Sequence, residues 1–278
     1  MNILRHPACS WFAASLSAAL LLSAASPLRA ASAFQAEQGR LYQYSTLDAL
    51  SQGDFEGALT VSELGAHGDF GLGTFNHADG EMVMLDGKAY QVLSSGRVLR
   101  AEGDQRTPFA AVVSETSAPR WVRLDQCPDL PCLERSLDAL TDSPNYFYAF
   151  YVEGTFEQIE TRSVPAQNPP YPSLAEIAKH QSVFKRAQSE GTLIALRCPL
   201  WAKGINLPGY HCHFLNKARD FGGHVLSCGL SQGRVRVFCL KEYRLQLPDT
   251  PAFARDHLPI SSNDADSLKR AEAAPARQ

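Results

Sequence analysis

A chain of 278 residues, 45% of them hydrophobic, has material for one large domain or two medium ones, with ample core in either case. Its formal net charge of −3 comes without any Lys/Arg run, which argues against a nucleic-acid partner. Past the first thirty residues no apolar run reaches the length a transmembrane helix needs.

The start of the chain reads as an export address. Arg5 and His6 precede the apolar run 11-WFAASLSAALLLSAAS-26, and Ala31-Ser32-Ala33 offers a small-residue cleavage site. Residues 1–33 are therefore expected to be a signal peptide that is removed. The mature protein would be periplasmic or secreted, with no membrane contact after cleavage. Losing Arg5, Arg29 and no acid would leave it more acidic still.

Residues 34–45 read as extended, and 46-TLDALSQG-53 as a short helix ended by Gly53. Strands are expected over 57–64, 81–86, 88–95 and 108–115, with Asp86-Gly87 as a hairpin turn between the second and third. A helix over 131–140 has Pro131 near its first position and Leu133, Leu137 and Leu140 at helical spacing. Two further strands, 145–152 and 155–162, are expected to fold back about Glu153-Gly154.

The four prolines of 163-SVPAQNPPYPSL-174 predict an extended surface segment and mark a domain boundary. A helix over 173–184 should start at Ser173, with Glu176 completing a capping box. Strands are expected at 192–198, 209–215, 223–230, 234–240 and 242–247, before a polar tail. The expected fold is α+β: a mixed-sheet N-terminal domain with a helix (34–162), then a strand-rich C-terminal domain (163–247) carrying a three-His metal site. The tail (248–278) is poorly structured by composition, or folds over the active site.

Six cysteines survive the predicted cleavage: Cys127, Cys132, Cys198, Cys212, Cys228 and Cys239. Export and an even number favour disulfides, and the two-proline loop 127-CPDLPC-132 could close on itself. Zinc held by thiolates is the competing reading, but no CxxC is present.

In 209-GYHCHFL-215 a strand puts His211 and His213 on one face and Cys212 on the other. His224, behind Gly222-Gly223, could arrive from the next antiparallel strand, the glycines letting the backbone turn tightly. Three neutral imidazoles plus open positions suit a catalytic zinc; the bland alternative is half-buried strand histidines bonded to backbone. His67, His77, His180 and His257 have no such partners in sequence and default to surface or packing roles.

Several segments, in order, resemble the bacterial α-acetolactate decarboxylase family. They are 43-QYSTLDALSQGDFEG-57, the Gly-rich 67-HGDFGLGTFNHADGEMV-83, 161-TRSVPAQNPPYPSL-174, 208-PGYHCHF-214 and 221-FGGHV-225. The similarity runs from about Leu41 to Leu247 and weakens in the tail. It implies that His211, His213 and His224 ligate Zn2+, that Glu81 and Arg162 are active-site residues, and that Thr74 lines the substrate pocket. It also implies a C-terminal glutamate, for which Glu272 is the best match, and a homodimer. Cys212 stands where the family has an aliphatic residue between the two histidines; on the opposite face it should not disturb ligation.

The implied reaction turns 2-acetolactate into acetoin and CO2. Zinc would act as a Lewis acid on the enediolate, Arg162 would fork onto the substrate carboxylate, and Glu81 or Glu272 would return a proton. Two alternatives use the same residues. One is an exported three-His zinc hydrolase of esters or lactones with Glu81 as base; the other is a non-catalytic metal- or sugar-binding β module.

Overall fold

The computed structural model describes residues 36–115 and 120–255. The proposed signal peptide (1–33) and Glu272 lie outside the described residues. Strands follow as β1 (Glu37–Tyr44), β2 (Leu59–Thr60), β3 (Phe70–Thr74), β4 (Glu81–Leu85), β5 (Lys88–Val92), β6 (Val98–Arg100) and β7 (Arg106–Thr107). The remainder are β8 (Ala110–Glu115), β9 (Val122–Leu124), β10 (Phe147–Ser163), β11 (Ser182–Cys198), β12 (Gly209–Asn216) and β13 (Gly222–Gln246). Helices are short: α1 (Leu47–Ser51), α2 (Val61–Gly65), α3 (Leu130–Asp138), α4 (Leu174–Ile177) and α5 (Pro251–Arg255).

An 11-stranded sheet runs β10-β11-β12-β13-β1-β8-β3-β4-β5-β6, with β9 also paired to β13; β2 and β7 make a separate pair. Because β10 pairs with β13 as well as β11, strands β10 to β13 close a ring of four. β1 runs parallel to β13, whereas the other pairings between these strands are antiparallel. The sheet is thus mixed and the fold α+β, as the sequence indicates.

Alternation along the strands divides the core. Leu41, Leu72, Val83, Ala111 and Val113 face one way and pack with Phe147, Ile194, Leu196 and Phe238 of the ring strands. Their neighbours Tyr42, Met82, Met84, Ala110 and Val112 face the other way, against Leu59, Val61 and Leu64. The first set joins the two ends of the sheet in one apolar cluster, which fixes β4 against β12 and β13.

Several local expectations hold. Asp86 and Gly87 have φ of 51° and 68°, the left-handed pair a two-residue hairpin requires. α3 begins at Asp129, whose side chain accepts from the Cys132 N–H, with Pro131 in the first turn and Leu133 and Leu137 buried.

Others do not. The strand expected at 57–64 survives only as β2, because Thr60 and Glu63 form a capping box that starts α2. The hairpin expected about Glu153-Gly154 is one unbroken strand, β10. Gly154 lies in register with Gly191 on one side and Gly233 on the other. A Cβ there would sit 2.5 Å from the Gln232 carbonyl oxygen, so the glycine serves close backbone approach rather than a turn. For the same reason 223–247 is not three strands but the single β13.

The helix expected to 184 stops sooner. α4 passes into a 3₁₀ turn, Ala178–His180, and β11 starts at Ser182. Ser173 caps it as expected, but the Glu176 carboxylate turns to Lys179 instead of closing the box.

All six cysteines are free thiols, against the disulfide expectation. The register explains this for the strand residues: Cys198 faces Gly209, Cys212 Ala195, Cys228 Ile159 and Cys239 Tyr148. Cys127 lies 3.4 Å from the Ser136 hydroxyl, with the Cys132 thiol also beside it but not bonded to it. Burial pushes the Cys228 thiol up to about 12 and Cys212 well above its ordinary value, leaving both unreactive.

Candidate metal centre

His211 and His213 sit two apart on β12, so the pleat sends both imidazoles to one face. His224 opens β13 directly opposite His213 in the antiparallel register. The three rings have centroids 4.9, 5.0 and 5.4 Å apart, and their ligand nitrogens lie within 4.8 Å of one another. All three histidines are buried. A group of buried imidazoles this close can hold a metal ion.

Two details fit that use. His213 donates from Nδ1 to the Met82 carbonyl at 2.8 Å, since a carbonyl can only accept. Its Nε2 then carries the lone pair, 3.2 Å from His211 Nε2. Cys212 points to the opposite face and stays out of the donor set, as the pleat requires.

The glycines before His224 do something other than turn. Gly223 is a strand residue with φ of +125°, and a Cβ on it would lie 2.4 Å from the Arg162 carbonyl oxygen. That close approach lets β10 run against β13, which puts Arg162 in register opposite His224. Arg162, His224 and His213 therefore form one row across three strands.

A second row comes from the far end of the sheet, where Thr74 of β3 pairs with Glu81 of β4. Glu81 reaches across to Arg162: Nη1 donates to Oε1 at 2.8 Å, with both side chains buried. Its other oxygen, Oε2, lies 3.5 Å from His213 Nε2. Thr74 spends its hydroxyl proton on the Gly80 carbonyl at 2.6 Å, which ties the loop before Glu81 in place.

These groups meet at a cavity of about 30 Å3. Thr74, Glu81, Arg162, His211 and His213 make its polar side. Leu47, Leu50, Phe109, Val164 and Leu174 make an apolar wall that the sequence alone does not announce. A faint signal exists, in Leu47 and Leu50 at helical spacing and Val164 two residues after Arg162 on an extended chain. Nothing local says that they converge. Six of the seven predicted site residues are thus brought together; the seventh, Glu272, is outside the described residues.

Polar groups that can orient an acid, a metal set and a dry wall around one small space describe a site for a small polar molecule. The family model for alpha-acetolactate decarboxylase matches residues 41–259. A curated alpha-acetolactate decarboxylase of Methanosarcina mazei is 40% identical over 232 residues, covering 84% of this chain and 80% of its own length. That of Methylococcus capsulatus is 38% identical over 229 residues, covering 82% of this chain and 88% of its own. Among solved structures, the alpha-acetolactate decarboxylase of Bacillus subtilis superposes with a TM-score of 0.80 at 31% identity, covering 84% of this chain and all of that one.

Proposed function

Because the chain belongs to the alpha-acetolactate decarboxylase family it is a carboxy-lyase, and we propose that it converts 2-acetolactate to acetoin and CO2 with zinc held by His211, His213 and His224. The observation that supports this best is the convergence of the three imidazoles with the Glu81–Arg162 pair, beside a cavity that His211, His213, Glu81 and Arg162 line. The donor set fits the ion: neutral nitrogens with no thiolate keep a borderline divalent metal strongly positive. When bound, the metal supplies a Lewis-acid sink for the negative charge that decarboxylation leaves on the substrate oxygens.

The chain's own residues do the rest. Arg162 takes the substrate carboxylate by charge-assisted hydrogen bonds and so aligns the C–C bond that breaks. Its tie to Glu81 fixes the guanidinium plane before substrate arrives. That grip has to stay moderate, because the carboxylate departs as neutral CO2 and any tighter hold would stabilise only the ground state. Glu81 keeps Oε1 on Arg162 and turns Oε2 toward His213, so Oε2 is the atom at which a proton can be held and passed to the product carbon. Leu47, Val164 and Leu174 exclude water and face the substrate's methyl groups.

Export and homodimer assembly belong to the same proposal. The apolar run 11–26 with Ala31-Ser32-Ala33 supports the first, and the family resemblance supports the second. Among the described residues no helix is long and apolar enough to cross a membrane.

The test is acetoin formation by purified protein from racemic 2-acetolactate. Acetoin and CO2 in equal amounts support the proposal. Folded, zinc-loaded protein that yields no acetoin but hydrolyses esters or lactones would overturn it.

A further inference from the structure

The cavity beside the candidate metal centre is narrow, about 30 Å3. Its two sides differ in build. The polar side is built on β3, β4, β10 and β12, locked into a sheet. The apolar side is a separate cluster in which α1 and α4 meet the chain around Phe55 and Val164. It behaves as a roof.

The roof is fastened from outside by three side chains. The Tyr171 hydroxyl donates to Glu56 Oε1. His77 Nδ1 lies 2.8 Å from that hydroxyl and 3.3 Å from Glu56 Oε1. The Tyr171 ring packs edge-on to Phe55, with centroids 5.4 Å apart. Between the fastened ends, the Gln167 N–H donates to the His77 carbonyl at 2.7 Å. Gly53 completes the seam: with φ of +93°, a Cβ on it would lie 2.9 Å from the Pro172 carbonyl oxygen.

We propose that Tyr171 is a positioning residue: it clasps the 164–174 segment to Glu56 and His77, seating Val164 and Leu174 in the roof, and this clasp parts to admit substrate. The proposal rests on the decarboxylase reading for what the roof covers, but not for its mechanical part. The clasp suits a gate because it is half in water. Side-chain exposure is 51% for His77 and 44% for Glu56, so solvent takes over their hydrogen bonds as they separate. Burial and Glu56 push the Tyr171 hydroxyl up to about 12, which keeps it a donor throughout the neutral range.

Tyr171→Phe removes the hydroxyl and keeps the ring packing. Amide hydrogen exchange at Gln167 in this variant is expected to accelerate about tenfold, the worth of one such hydrogen bond. KM for 2-acetolactate should rise by roughly the same factor, with kcat within twofold and metal content unchanged. Glu56→Gln, which keeps the hydrogen bond without the charge, should lie between wild type and Tyr171→Phe in both readouts. Wild-type exchange at Gln167 would overturn the clasp, and faster exchange with unchanged KM would overturn its role in positioning. Should the wild-type chain form no acetoin, the decarboxylase reading fails, and the exchange rate at Gln167 still decides the clasp.

Discussion

Arg236 and Arg162 are both buried, 5% and 3% exposed, and both meet carboxylates across strands of the same sheet. Arg236 sends Nε and Nη2 to Glu37 at 3.1 and 2.7 Å, and Nη1 to both oxygens of Glu115 at 2.8 and 2.7 Å. It stitches β13 to β1 and β8, with two anions converging on one cation. Arg162 pairs with Glu81, beside three imidazoles and a cavity. The first arrangement is a finished polar network that holds strands in register; the second faces space that a ligand can fill. A buried charge pair thus says little about function by itself. What surrounds it decides.

That contrast can be broken in graded steps. His211→Ala should give the largest effect: loss of stoichiometric metal and a fall in turnover of at least about 1000-fold, since a bound metal supplies several kcal/mol of charge stabilisation. Metal analysis beside the acetoin assay checks it, and a metal-free, fully active variant would remove the histidines from the site. Next comes Arg162→Lys, where a single ammonium cannot reproduce the fork. Turnover should drop by about 100-fold while bound metal stays at the wild-type level. Wild-type kinetics would make Arg162 another Arg236.

Arg236→Met should show the reverse pattern. Buried Glu37 and partly exposed Glu115 lose their cation, so urea unfolding should report a loss of about 3–5 kcal/mol, with turnover of the folded fraction within twofold of wild type. The smallest effect is expected for Glu115→Gln, whose partly exposed side chain keeps one hydrogen bond to Arg236. A loss of about 1 kcal/mol without kinetic change would place it in the structural network.

The sequence was most legible where chemistry and periodicity coincide. His-Cys-His on a strand has only one pleated reading, and the structure keeps it: two imidazoles one way, the thiol the other. Asp86-Gly87 likewise demands a left-handed turn. Glycine was ambiguous wherever it could mean a turn or a close contact. Gly154 and Gly233 mean contact, so two expected turns vanish into β10 and β13. At 57–64 apolar alternation competed with a Thr60-x-x-Glu63 cap, and the cap won. The roof is the least legible part. Leu47, Phe109, Val164 and Leu174 look like ordinary core, and only tertiary packing brings them over Glu81 and Arg162.

The central claim, that a metal held by His211, His213 and His224 drives decarboxylation, is tested most directly by one cycle of metal removal. Acetoin release from racemic 2-acetolactate would be measured on protein as isolated, after EDTA, and after one equivalent of zinc is restored. Activity should disappear with the metal and return with zinc. Undiminished acetoin release from protein shown to be metal-free would contradict it.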